Sequence, residues 1–132
     1  MATIFTKIIK GEIPSYKVAE NDQFYAFLDI NPLAKGHTLV VPKKEVDYMF
    51  DLDDETLAGL NIFAKKVAKA IEKAVPCKRI GTTVIGLEVP HAHLHLIPIN
   101  GINDMNFEKP KLKLSDEEFK QILEDIRKNL DF

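Results

Sequence analysis

The sequence holds a single cysteine, Cys77, and no tryptophan. One cysteine excludes an internal disulfide and fits a reducing compartment. Charge of one sign is also missing: 18 Lys and Arg face 20 Asp and Glu, for a net charge of −2. Without a basic excess there is no electrostatic groove for a nucleic-acid polymer, so any nucleotide-like ligand has to be held by local contacts. No apolar run reaches membrane-spanning length. The start, Met1-Ala2-Thr3-Ile4-Phe5, lacks a basic segment leading into a long apolar one, so neither a signal peptide nor a membrane partner is expected, and the protein is read as cytoplasmic. Repeats, low-complexity tracts and linkers are lacking as well. What remains is 132 residues, 45% apolar and 29% charged, enough for one domain spanning 1–132 with its own core.

The patterning predicts a short helix in the first ten residues, where Ile4, Phe5, Ile8 and Ile9 fall at helical spacing before Gly11 and Pro14. Strands are predicted over 15–20 and 23–28 around the turn pair Asn21-Asp22, and over His37–Pro42. Residues 53–75 form the main helix, with Leu57, Leu60, Ala64, Val67, Ile71 and Ala74 as its apolar stripe. Acids at its start and lysines in its second half suit the helix dipole; those lysines read as a solvated face. Strands are expected at 79–85 and 91–97, and Ser115-Asp-Glu-Glu118 opens a last helix as a capping box. The order α-β-β-β-α-β-β-α with short connections predicts an α+β fold: an antiparallel sheet of about five strands, the main helix packed on it, and a C-terminal helix. Residues 99–114 contain Ile102, Met105, Phe107 and Leu112 and are expected to pack on something, a second subunit being one candidate.

Three of the four histidines stand in five residues, His91-Ala-His93-Leu-His95. Alternation with apolar residues predicts a strand that shows all three imidazoles on one face, successive ones roughly 6.5 to 7 Å apart. Three uses are open. A neutral imidazole can attack phosphorus and form a phosphoramidate that water later splits, with neighbouring histidines as donors to the phosphoryl oxygens. A His-x-His pair can instead bind zinc, although three members of a straight run do not converge on one ion and no acid or cysteine adjoins them. The third use is a plain wet strand face.

These residues resemble a known family. His91-Ala-His93-Leu-His95-Leu-Ile97 matches the signature of the histidine-triad (HIT) family. Three further blocks look like that family's, in its order, over residues 3–98: Ile4-Phe5-x-Lys7-Ile8-Ile9-x-x-Glu12-Ile13-Pro14, Phe27-Leu28-Asp29-Ile30-Asn31-Pro32, and Gly36-His37-Thr38-Leu39-Val40-Val41-Pro42. The resemblance is nearest the small nucleoside-phosphoramidate-hydrolase (HINT-like) branch. It implies a HIT-like core at 3–98 with an extension at 99–132, and a homodimer. It implies a nucleotidyl hydrolase or transferase acting at the α-phosphorus of an AMP or GMP conjugate, with no cofactor. His93 would be the nucleophile, His95 the phosphate contact, and His91 and His37 supporting histidines. Asp29 would hold the ribose hydroxyls, its two acceptor oxygens suiting a vicinal diol. Ile4, Phe5, Ile8, Phe27, Leu28, Ile30 and Leu39 would line the base pocket, with core packing an equal role for Ile8 and Phe27. Alternatives are a dinucleoside polyphosphate hydrolase of the same superfamily, a nucleotide-binding regulatory module with little turnover, and a zinc protein.

The chain departs from that pattern twice. Where the family carries Gly-Gln-Ser/Thr-Val before the triad, this chain has Gly86-Leu87-Glu88-Val89, so two phosphate donors are missing. Glu88 is expected to point outward, because Pro90 kinks the approach. Where some members hold zinc with Cys-x-x-Cys, this chain has Thr3-Ile4-Phe5-Thr6, so no metal is expected there.

Overall fold

Asn21 turns the first hairpin: its side-chain oxygen accepts the backbone N–H groups of Gln23 and Phe24 at 2.9 and 2.8 Å. That reversal pairs β1 (Lys17–Glu20) with β2 (Phe24–Leu28). In the computed structural model, which describes residues 2–131, the sheet continues with β3 (Thr38–Pro42), β4 (Arg79–Thr83) and β5 (Leu94–Ile99). The strand order is β1-β2-β3-β5-β4, antiparallel at every pairing. The fold is α+β, as the element order predicts. Met1 and Phe132, the ends of the expected domain, lie outside the described residues.

β2 and β3 are buried at every position because the sheet is covered on both faces. On one face lies α2 (Asp54–Ala74), started by Asp53, whose carboxylate accepts the Thr56 N–H at 2.7 Å. Its Leu60, Ala64, Val67 and Ile71 pack with Phe24, Ala26, Val40 and Leu96. On the other face lies α1 (Ile4–Ile9), whose Phe5 and Ile8 join Tyr25, Phe27, Leu39 and Val41. The last helix, α3 (Asp116–Arg127), carries the predicted capping box between Ser115 and Glu118. It buries Phe119 and Ile126, with Phe119 stacked on Tyr16 at 4.7 Å.

The histidine strand needs correction. β5 begins at Leu94, so His91 and His93 precede it. The reason lies in where the backbone amides go. The His91 N–H donates to the Val89 carbonyl at 2.8 Å and the Ala92 N–H to the Val46 carbonyl at 2.7 Å, so neither is free for a neighbouring strand. The alternation survives: Ala92, Leu94 and Leu96 enter the core beneath α2, while His91 and His93 meet Phe5 of α1 on the opposite face.

Two connections place the other site residues. Gly36 holds φ +89°, and a Cβ there would lie 3.0 Å from the Val75 side chain, so the turn into β3 requires glycine. The Asp29 N–H donates to the His37 carbonyl at 2.9 Å, which fixes the end of β2 beside the start of β3. Residues 99–114 pack on their own chain. The Leu112 N–H donates to the Pro32 carbonyl at 2.8 Å, and Phe107 rests on His95 at 4.9 Å, whereas Ile102 is 98% exposed. Among the described residues, no helix is long and apolar enough to cross a membrane.

Candidate active site

Two cavities meet at the histidines. The first, about 280 Å³, opens between α1 and the sheet and is walled by Phe5, Ile8, Phe27 and Leu39. Ile4 and Ile30, 49% and 65% exposed, form its rim. Ile8 and Phe27 are therefore core and pocket at once, while Leu28 contributes to the wall but packs in the core under α2. The second cavity, about 310 Å³, is bounded by Leu87, Phe107 and Lys111. Asp29, Asn31, Glu88, His93 and His95 line both. Glu88 is exposed, as expected of a surface charge, and also lies on this shared wall.

The hydrogen bonds settle which nitrogen of each ring carries a proton. The His93 Nδ1 lies 2.8 Å from the His91 carbonyl. A carbonyl only accepts, so Nδ1 holds a proton, and in the neutral ring the lone pair is then on Nε2. The Leu33 backbone N–H donates to His37 Nδ1 at 3.0 Å. His37 Nδ1 is thus the acceptor, its Nε2 bears hydrogen, and that hydrogen goes to His95 Nδ1 at 2.9 Å. His95 is left with its proton on Nε2. The rings of His93 and His95 stand 5.1 Å apart at 65°.

Burial enforces neutrality along this chain of bonds. Desolvation first, then the neighbouring His95 and Lys111, pushes His37 down to about 3. Desolvation, then His93, pushes His95 down to about 4. His91 is also lowered, chiefly by burial. Below pH 6.5 the unfolded chain therefore binds protons at these positions that the folded chain refuses, and stability falls as pH falls. From pH 7.5 to 5.5 we expect urea unfolding to report a loss of about 2 to 3 kcal/mol, roughly 1.4 kcal/mol for each of two histidines per unit below 6.5. A stability unchanged over that range would refute the neutral histidine chain.

His91 is completely buried and is tied at both nitrogens. Its Nε2 donates to the Pro42 carbonyl at 2.8 Å, which leaves Nδ1 to accept the Thr3 hydroxyl at 2.8 Å. Thr3 and Thr6 also reach Glu45, through the Thr3 N–H at 2.8 Å and the Thr6 hydroxyl at 2.6 Å. Hydroxyls held in such a network are poor zinc ligands, so these positions do not fit a metal. Asp29, His37 and His95 do place one ligand atom each within 4.8 Å of one another. That group fits no better. The Leu33 N–H already occupies His37 Nδ1, so His37 could offer Nε2 to a metal only as an imidazolate.

Asp29 is half-buried, and desolvation raises its carboxyl above the usual range, against the opposing Asn31 N–H, His93 and Lys111. Oδ1 accepts the Asn31 N–H at 2.8 Å, and Oδ2 lies 3.6 Å from His37 Nε2, too far for a hydrogen bond. The structure brings the predicted site residues around the paired cavities except two: His91 sits behind Phe5 and His93, and His37 is buried behind His95 and lines neither cavity. Sequence reasoning missed Phe107, Lys111 and Thr3. Phe107 was visible only as an apolar residue in an unassigned segment. Lys111 stands among Lys109 and Lys113 with nothing in the pattern to single it out.

Comparison with known proteins agrees with this geometry. The HIT domain model matches residues 10–101. An adenosine 5'-monophosphoramidase of Schizosaccharomyces pombe is 40% identical over 129 residues, covering 96% of each chain. One of Saccharomyces cerevisiae is 44% identical over 98 residues, 74% of this chain and 62% of its own. The crystal structure of a HIT-like protein from Bartonella henselae superposes with a TM-score of 0.84 at 35% identity, covering 97% of this chain and 96% of that one. On the match across its sheet and histidine segment, the chain belongs to the HIT domain family.

Proposed function

We propose that the protein is a nucleotidyl hydrolase that cleaves the bond between the α-phosphorus of a nucleoside monophosphate and an amine. The observation that carries this reading is the His93 tautomer, with a free Nε2 lone pair at the junction of an apolar cavity and a polar one. Two relatives bearing the name adenosine 5'-monophosphoramidase support the substrate class. The base would lie against Phe5, Phe27 and Leu39, and Asp29 would accept from the ribose. His93 Nε2 attacks phosphorus as the bond to the leaving amine breaks. The amine nitrogen takes a proton from solvent in the open second cavity, and the water of the second step returns one to solvent. Positive charge then develops on the His93 ring, where the Nδ1–H bond to the His91 carbonyl stabilises it. The Nε2–H of His95 donates to a phosphoryl oxygen. Water attacks the same phosphorus in the second step and releases the monophosphate, restoring the His93 lone pair. The test is to mix the protein with adenosine 5'-phosphoramidate, quench in denaturant, and look by mass spectrometry for an adenylyl group on His93. Turnover with no such adduct at any quench time would remove the covalent step.

A further inference from the structure

The cavity beyond the histidines contains a cation that the reaction scheme above does not use. Lys111 comes from the segment after β5 and lines only the second cavity, on the side away from the base pocket. Its ammonium has three donors. Two point at carbonyls, those of Phe107 and of Lys109, the latter at 3.2 Å. Among the described residues it forms no ion pair within 4 Å, although it is half-buried. One N–H direction is left over, in a cavity wall shared with His93, His95 and the Asp29 carboxylate, which feels the ammonium at a distance beyond an ion pair. Phe107 braces the ammonium, which lies 5.8 Å from the ring centre, while the same ring packs on His95 and His37.

We propose that Lys111 binds an anionic group on the leaving-group side of the α-phosphorus, so that the site selects conjugates whose leaving portion carries a phosphate or carboxylate. The inference rests on the reading of the paired cavities as nucleotide and leaving-group compartments. With the base in the first cavity and phosphorus at His93, the part that departs occupies the second, where Lys111 is the only lysine or arginine in the wall. Two carboxylates, Asp29 and Glu88, line the same cavity with the opposite charge. Asp29, which feels Lys111, is given to the ribose in that reading, and Glu88 is exposed, so solvent and salt screen it more than the half-buried ammonium. The two family donors absent at Leu87 and Glu88 are thus replaced by a charge arriving from a different segment.

Calorimetry with AMP and with α,β-methylene-ADP, whose carbon bridge resists cleavage, isolates this contact. The added phosphonate group reaches the second cavity, whereas AMP ends at the histidines. Wild-type protein should bind α,β-methylene-ADP more tightly than AMP. Lys111→Gln should weaken the methylene analogue about tenfold, the value of one charge-assisted hydrogen bond, and change AMP less than twofold. Lys111→Arg should keep the preference. Equal weakening of both ligands by Lys111→Gln, or no weakening of either, overturns the proposal while leaving the nucleotide site intact. Failure of the wild-type protein to bind AMP at all overturns the site reading and this inference with it.

Discussion

His93→Gly should lower turnover of adenosine 5'-phosphoramidate by at least about a thousandfold while leaving AMP affinity within a few-fold, because it removes the bond-forming atom and little of the binding surface. No other group can take over the attack. His95 has its Nδ1 lone pair committed to His37 and a proton on Nε2, and His91 has both nitrogens occupied behind Phe5. The glycine also leaves a ring-sized gap open to the second cavity. Free imidazole added to His93→Gly should therefore restore part of the turnover, with rates rising with imidazole concentration. A variant that keeps more than a tenth of wild-type turnover without imidazole would show that water, or another side chain, attacks phosphorus directly.

The larger features were legible because they depend on local periodicity. The stripe of α2, the Ser115 capping box and the Asn21 turn each follow from residues a few positions apart, and each is present. The alternation at 91–97 gives the side-chain direction throughout, but ladder pairing only from Leu94 onward, not at 91–93. Period two says which way side chains point; it does not say whether the amides find a strand or, as at His91 and Ala92, the Val89 and Val46 carbonyls. Lys111 was beyond reach for a different reason. Its meaning comes from Leu112 docking on Pro32 and Phe107 docking on His95, contacts with residues outside the segment that no pattern in 99–114 encodes.

The relay from Leu33 through His37 to His95 makes His37 a positioning residue. It would touch no reacting atom, but its Nε2–H holds the proton of His95 on Nε2, the nitrogen that would face phosphorus in the proposed reaction. In an unconstrained neutral imidazole the two tautomers interconvert, so without His37 part of the population would present a lone pair to a phosphoryl oxygen and repel it. Complete loss of an oxyanion donor costs on the order of a hundredfold, but a tautomer mixture keeps the donor in part of the population, so His37→Ala should cut kcat by a few-fold to about tenfold, with a smaller change in KM. Loss of packing alone could also slow the enzyme, because His37 is buried against Phe107. Two readouts separate the causes. Nitrogen NMR of the His95 ring should show a single Nε2–H tautomer in the wild type and a mixture in His37→Ala. His37→Gln, whose amide N–H can donate to the same Nδ1, should recover most of both the tautomer and kcat. If His37→Ala leaves the His95 tautomer unchanged, the ring is fixed by something other than this hydrogen bond, and His37 serves the fold rather than the chemistry.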